Sequence, residues 1–258
     1  MKNLLRCPDC SNSRSQFLLA CLMLTFGLLF LVIFINVVLH GPLTHWNGAV
    51  YYFFRSRRAL WLDKIAVVIV SFGYYKMLSV VVAALIVWLV LRRQRLAAIH
   101  WFIAWMCVLG SIFALRFFYF SSRPWGLLRA PFTSSFPSGH VTGSIVFYFL
   151  FAFMFTQNLS KIVRKIIYLL VFIFCMIIAC ARLYLGLHWL TDVLAGVCLG
   201  GAILLFIIIS YRRYRSPRIS LSGILIVALV TLCFSNAWFL HKNYAVHLHN
   251  YQISTDTF

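Results

Sequence analysis

Residues 181–213 read ARLYLGLHWLTDVLAGVCLGGAILLFIIISYRR. From Val193 to Ile209 no charged side chain occurs, and the apolar run bounded by Asp192 and Tyr211 has about the 20 residues that cross a bilayer core as a helix. Arg212 and Arg213 close it, as basic residues do where a span leaves the membrane. At its other end stand Arg182, His188 and Asp192, ionisable groups that are costly beside a membrane span unless they have work to do. The stretch therefore reads as a membrane helix with a chemical site at its mouth.

The same grammar repeats along the chain. Apolar runs cover about Phe17–Val38, Met77–Leu91, Ala98–Phe120, His140–Gln157, Ile166–Tyr184, Asp192–Tyr211 and Ile219–Leu240. Seven spans follow, with Leu60–Val70 as an amphipathic or half-inserted helix ahead of Gly73 and a polar tail after Leu240. The first run is longer than a signal-peptide core and lacks a small-residue cleavage site, so it is expected to be retained. The expected architecture is all-α, a polytopic transmembrane helical bundle forming a single integral membrane domain over residues 1–258.

Composition excludes the alternatives. Of 258 residues, 63% are apolar and 45 are Phe, Tyr or Trp, which rules out both a soluble domain and a disordered chain. The formal charge is +19, but the 23 Lys and Arg sit in short clusters between apolar runs and not on one solvated face, so nucleic acid is not an expected partner. Only four acids occur, Asp9, Asp63, Asp192 and Asp256, with no glutamate. Carboxylate-built two-metal, calcium and magnesium sites need several acids close together, so no metal and no cofactor is expected.

Placing the N-terminus inside puts the clusters around Arg14, Arg93, Arg164 and Arg213 on the cytoplasmic side, 13 basic residues against 10. Three polar patches then share the outer face. They are Arg116 with Arg123 and Pro124; Pro137, Ser138, Gly139 and His140; and Arg182, His188 and Asp192. Arg116 and Arg123 are seven apart, so on a continuous helix ended by Pro124 they project from one face. The Ser-Gly start of the fourth span offers free backbone N–H groups to an anion. Asp192, four residues after His188, can hold one imidazole nitrogen and leave the other free, and a turn near Gly186 would return Arg182 to the same place.

That inventory suits phosphate. Guanidinium forks hold phosphate oxygens and stay charged. One histidine, oriented by Asp192, can attack phosphorus while the other protonates the leaving oxygen, with no metal in the scheme.

The patches read RFFYFSSRP (116–124), PSGH (137–140) and ARLYLGLHWLTD (181–192). In order and spacing they resemble the signature of the type 2 phosphatidic acid phosphatase and vanadium haloperoxidase superfamily, K-x6-R-P, P-S-G-H and S-R-x5-H-x3-D. Arg116 stands in place of the usual Lys and Ala181 in place of the usual Ser. The resemblance implies a six-helix phosphatase core, here residues 60–211, with 219–240 as an additional C-terminal transmembrane helix. It implies His188 as nucleophile forming a phosphohistidine, His140 as general acid and Asp192 as orienter. Arg116, Arg123, Ser138, Gly139 and Arg182 would bind phosphate. The implied substrate is a membrane lipid phosphate or pyrophosphate of the phosphatidic acid, phosphatidylglycerophosphate, undecaprenyl pyrophosphate or lipid A type. A bacterial inner membrane, with the site on the periplasmic face, is the implied location.

Rival readings are a lipid phosphotransferase on the same site, a transporter with polar groups spread through the membrane depth, and a hydrolase using Ser138 with His188. The pair Cys7 and Cys10 has no second pair to complete a zinc site. His241, His247 and His249 read as part of a solvated tail.

Overall fold

The computed structural model describes residues 13–129, 131, 133–214 and 221–252, and the pair Cys7 and Cys10 lies outside them. In chain order the helices are α1 (Ser13–Val38), α2 (His45–Arg55), α3 (Leu60–Ser71), α4 (Tyr75–Leu91), α5 (Arg95–Phe118), α6 (Gly139–Phe155), α7 (Lys161–Tyr184), α8 (Leu190–Arg212) and α9 (Leu221–Asn250). A 3-10 turn at Pro42–Thr44 leads into α2, and no strand occurs among the described residues.

Among the described residues six segments are long and apolar enough to cross a membrane, and the 17-residue α6 is a shorter apolar helix. One of the six joins α3 and α4 across the break at 72–74, so the half-inserted helix and the span after it act as one crossing. The lipid-facing surfaces are plain from the side chains they expose, Leu18, Leu22, Leu28 and Leu29 on α1 and Ile162, Ile166, Leu169 and Leu170 on α7. Exposed leucines and isoleucines on this scale belong in hydrocarbon, not water.

Helix α8, whose sequence sets the class, lies at the centre, against α1 and α6. Small residues let it approach them. A Cβ on Gly196 would stand 2.9 Å from the Ser138 carbonyl oxygen, one on Gly200 3.0 Å from the Ile145 Cβ, and one on Gly201 3.1 Å from the Phe26 ring. Helix association in lipid relies on such close packing, because apolar burial there gives little driving force. The first of these contacts also sets the start of α6 against the start of α8, which is where the polar patches meet.

Two segments outside the expected spans are also helical. The loop after α1 holds α2, whose Asn47 Nδ2 donates to Thr191 Oγ1 at 3.1 Å and ties it to the start of α8. The stretch after Leu240 is helical to Asn250 instead of a loose polar tail. Tyr244, Leu248 and Tyr251 recur at helical spacing there and pack with Ala66, Val67, Val70, Leu185 and Leu187, so an apolar face carries α9 onward.

Candidate active site

Helix α5 ends at Phe118, and Tyr119 is already extended at φ −139° and ψ 118°. Arg116 and Arg123 therefore do not share a helix face as the spacing implied. The intervening serines pair instead with the strand-like run before α6. Ser135 N–H donates to Ser121 O at 2.9 Å, and Ser121 N–H donates to Ser134 Oγ at 3.0 Å. Arg123 is held by this pairing, its Nε donating to Thr133 O at 3.1 Å and its Nη1 to Leu187 O at 2.5 Å. The second bond links the first patch to the third. Burial and the neighbouring Arg116 charge bring Arg123 down to about 10, which leaves it cationic at neutral pH.

Ser138 caps α6 with extended backbone, so the N–H groups of the first helical turn lack intrahelical acceptors. Arg116 reaches over this end, donating from Nη2 to Pro137 O at 3.2 Å. Ser138 N–H is itself taken, donating to Asp192 O at 3.0 Å, and its hydroxyl is fully buried without a hydrogen-bond partner among the described residues.

The third patch folds around the end of α7. Gly186 has φ +66°, a conformation that costs a side chain strain, and Leu187 N–H closes the turn on Arg182 O at 3.1 Å. The turn sets Arg182 Nη2 2.9 Å from His188 Nε2. His188 precedes α8 and does not share a helix with Asp192; the two meet because Asp192 is the third residue of α8 and folds back over its cap. Asp192 Oδ2 lies 3.3 Å from His188 Nδ1 and accepts from Trp189 N–H at 2.9 Å.

These contacts assign the imidazole. Arginine only donates, so Nε2 must accept, and the ring proton sits on Nδ1 facing the carboxylate. Burial, with Arg182 and then Arg123 and Arg116 adding to it, holds His188 well below the usual histidine range, so the ring is neutral. Arg182, His188 and Asp192 are 4%, 3% and 0% exposed. Asp63, the other acid among the described residues, is taken up by Arg58 at 2.7 Å. The site thus gathers three guanidinium groups around one carboxylate, an excess of two positive charges that a dianion would balance.

Beside this cluster opens a cavity of about 830 Å³. Its polar end is lined by Arg116, Arg123, Gly139, His140 and Arg182, and its apolar side by Ile112, Phe113, Phe117 and Phe120 of α5 and the segment after it. His188, Asp192 and Ser138 stand behind that lining, His188 screened by Arg182. The ionisable residues of the three patches gather around one end of this cavity. Two lining residues went unrecognised in the sequence, His247 and Tyr251 of the α9 end. The periodicity of Tyr244, Leu248 and Tyr251 was the available signal.

Among the described residues no group of three or more His, Cys, Asp or Glu is placed to hold a metal ion. The described cysteines are free thiols on the helices. Ala181 is packed in the apolar cluster with Val67, Leu185 and Leu187, a setting that suits the missing hydroxyl.

Residues 116–216 match the family model of the PAP2 superfamily. The fold is similar to the crystal structure of a transmembrane PAP2-type phosphatidylglycerolphosphate phosphatase from Bacillus subtilis, with TM-score 0.62 and 21% identity over 72% of this chain and 94% of that one. No curated protein sequence matches the chain significantly. The region that matches the PAP2 superfamily model opens at Arg116 and contains all three patches, and the fold is a transmembrane all-helical one similar to that of the solved phosphatase.

Proposed function

We propose that the protein is a lipid phosphatase that works without a metal and hydrolyses a phosphomonoester or pyrophosphate on a membrane lipid through a phosphohistidine. The observation that carries the reading is the chain Arg182 Nη2, His188 Nε2, His188 Nδ1, Asp192 Oδ2, with contacts of 2.9 and 3.3 Å, at the edge of a cavity lined by two further arginines.

The phosphate enters among Arg116, Arg123 and Arg182 and over the N-terminus of α6, whose Ser138 and Gly139 contribute to the cradle. Its charge draws Arg182 away from His188 and exposes the Nε2 lone pair. Nε2 attacks phosphorus as the bond to the lipid oxygen breaks, and His140 delivers a proton to that oxygen. Asp192 stabilises the imidazole as it gains positive charge. Water then attacks the phosphohistidine with His140 taking its proton, and inorganic phosphate leaves. The arginines meet the charge on the three equatorial oxygens in both steps.

A lipid substrate fits the apolar wall. Phe113, Phe117 and Phe120 are 73%, 73% and 70% exposed, so the cavity borders the hydrocarbon that a lipid chain would occupy. Under the inside-N-terminus topology the site faces outward from a bacterial cell membrane. A cysteine introduced between 125 and 135 should then react with an impermeant reagent on intact cells, and reaction only after lysis would reverse the orientation. The test of activity is phosphate release from a panel of lipid phosphates by purified protein in excess chelator. Turnover that persists with chelator and is inhibited by vanadate supports the reading. Turnover abolished by chelator contradicts it.

A further inference from the structure

The end of α9 lies beyond the residues that match the family model, yet His247 and Tyr251 stand in the wall of the cavity. The backbone is held there by three bonds from other segments. Arg58 Nη2 donates to Tyr251 O at 2.7 Å, Leu128 N–H to Gln252 O at 3.0 Å, and Arg129 N–H to Asn250 O at 3.1 Å. Tyr251 Oη lies 2.8 Å from His247 Nδ1, one helical turn earlier. A neutral imidazole carries one N–H and a phenol one O–H, and a single hydrogen bond joins these two groups. If the phenol donates, the ring hydrogen sits on Nε2; if Nδ1 donates, the phenolic hydrogen points elsewhere. In either arrangement one hydrogen of the pair is not spent within it. Setting such a donor against hydrocarbon costs free energy, so this part of the wall suits an acceptor.

Rings connect this pair to His140. Tyr74 lies 5.7 Å from His140 and 4.7 Å from Phe239, Phe239 lies 5.3 Å from His247, and His247 5.2 Å from Tyr251, centroid to centroid. All five border the cavity, so one wall runs from the proposed acid to the pair. In the proposed reaction the arginines hold the phosphoryl group that is transferred, and the substrate beyond His140 is the part that departs.

We propose that His247 and Tyr251 form a second polar subsite, for a phosphate that stays on the lipid after cleavage, so that a lipid carrying two phosphates is the preferred substrate class. The proposal rests on the phosphatase reading above. With a diphosphate, the terminal phosphorus passes to His188 Nε2, its bond to the bridging oxygen breaks, and His140 protonates that oxygen. The pair donates to an oxygen of the phosphate left on the lipid. A leaving alcohol with no further phosphate offers the pair no charged acceptor, and a site built to hydrogen-bond a substrate group discriminates against the analogue that lacks it. A phosphodiester one glycerol away, as in phosphatidylglycerophosphate, offers the same chemistry as the inner phosphate of a diphosphate.

Phosphate release by the full-length protein in detergent and excess chelator tests it with two matched substrate pairs, farnesyl diphosphate against farnesyl monophosphate and phosphatidylglycerophosphate against phosphatidic acid. Wild type should favour the two-phosphate member of at least one pair. When Tyr251→Phe and His247→Leu are combined, the ratio of kcat/KM within that pair should fall about tenfold, the scale of a hydrogen bond to a charged group. Tyr251→Phe alone, which keeps the ring, should move the ratio the same way, and a loss of folded protein cancels in it. His249→Ala, an exposed neighbour on the same helix, should leave the ratio as in wild type. A fall in the farnesyl pair places the retained phosphate next to the transferred one, a fall in the glycerolipid pair places it one glycerol away, and either supports the subsite. Ratios unchanged in both pairs, or a wild type that favours the single-phosphate substrates, would overturn the subsite and leave the phosphatase reading standing. A wild type that releases phosphate from none of these substrates would overturn that reading and the subsite with it.

Discussion

Two arginine and aspartate groupings lie at the same end of the bundle and have opposite electrostatics. At Arg58 and Asp63 the charges are matched one to one. Nε and Nη2 donate to the two carboxylate oxygens at 2.7 and 2.9 Å, and the remaining reach of Arg58 goes to Tyr251 O. Asp192 pairs with no arginine among the described residues and spends an oxygen on His188 and a helix cap, while Arg116, Arg123 and Arg182 line the cavity beside it. The first grouping is closed and ties α3 to the end of α9. The second is open by two charges. A matched pair stabilises a fold, whereas an unmatched cluster, retained at a cost in desolvation, is ready for an anion.

Neutralising each aspartate separates the two. Asp192→Asn should lower kcat/KM by about 10²–10⁴-fold, the usual scale for a group that orients a catalytic histidine. Lipid-phosphate turnover on folded protein is the measurement, and near-normal turnover would remove Asp192 from the mechanism. Asp63→Asn should act on the fold instead. Leaving Arg58 buried without its partner should cost about 3–5 kcal/mol, read as a lowered unfolding midpoint in detergent. The molecules that remain folded should turn over within a few-fold of wild type. If Asp63→Asn proved inert in stability, the claim that this pair is structural would fail.

The smallest expected effect concerns pH. Positive charge from the arginines adds to burial in holding His188 below the usual range. Replacing Arg123 by Gln removes a cation, favours the protonated ring and raises the folded-state pKa. In the proposed mechanism only the neutral ring attacks, so the acid limb of kcat/KM should move to higher pH in Arg123→Gln. Arg57→Gln, whose guanidinium sits over the Phe53 ring on the surface, should leave that limb in place. A limb unmoved by Arg123→Gln would mean that its titration belongs to another group.

Much of this was legible in the sequence because it depends on local rules. Membrane spans follow from unbroken apolar runs, and the count of crossings alone places Arg116, His140 and His188 on one face. The turn at Gly186 could be named in advance because a residue six before His188 needs one to return. What escaped were arrangements set by partners distant in the chain. Arg123 was given a helical position from its spacing, but Ser121 and Ser122 find partners around Ser134 and Ser135, and the backbone extends to meet them. His247 and Tyr251 looked solvated because HKNYAVHLHN reads as polar, and the surface that receives Tyr244 and Leu248 is built by α3 and the α7 turn. Polar neighbours concealed a packed face.

In the proposed reaction His188 Nε2 carries the phosphoryl group. This step is tested most directly by mixing purified protein with a lipid phosphate in excess chelator, quenching at alkaline pH during turnover, and mapping the phosphorylated residue by mass spectrometry. An acid-labile phosphohistidine is expected at His188, absent from His188→Ala, which should also be inactive, and accumulating in His140→Ala when the leaving group is good enough to depart unprotonated. Phosphate on another residue, or phosphate release that survives His188→Ala, would contradict it.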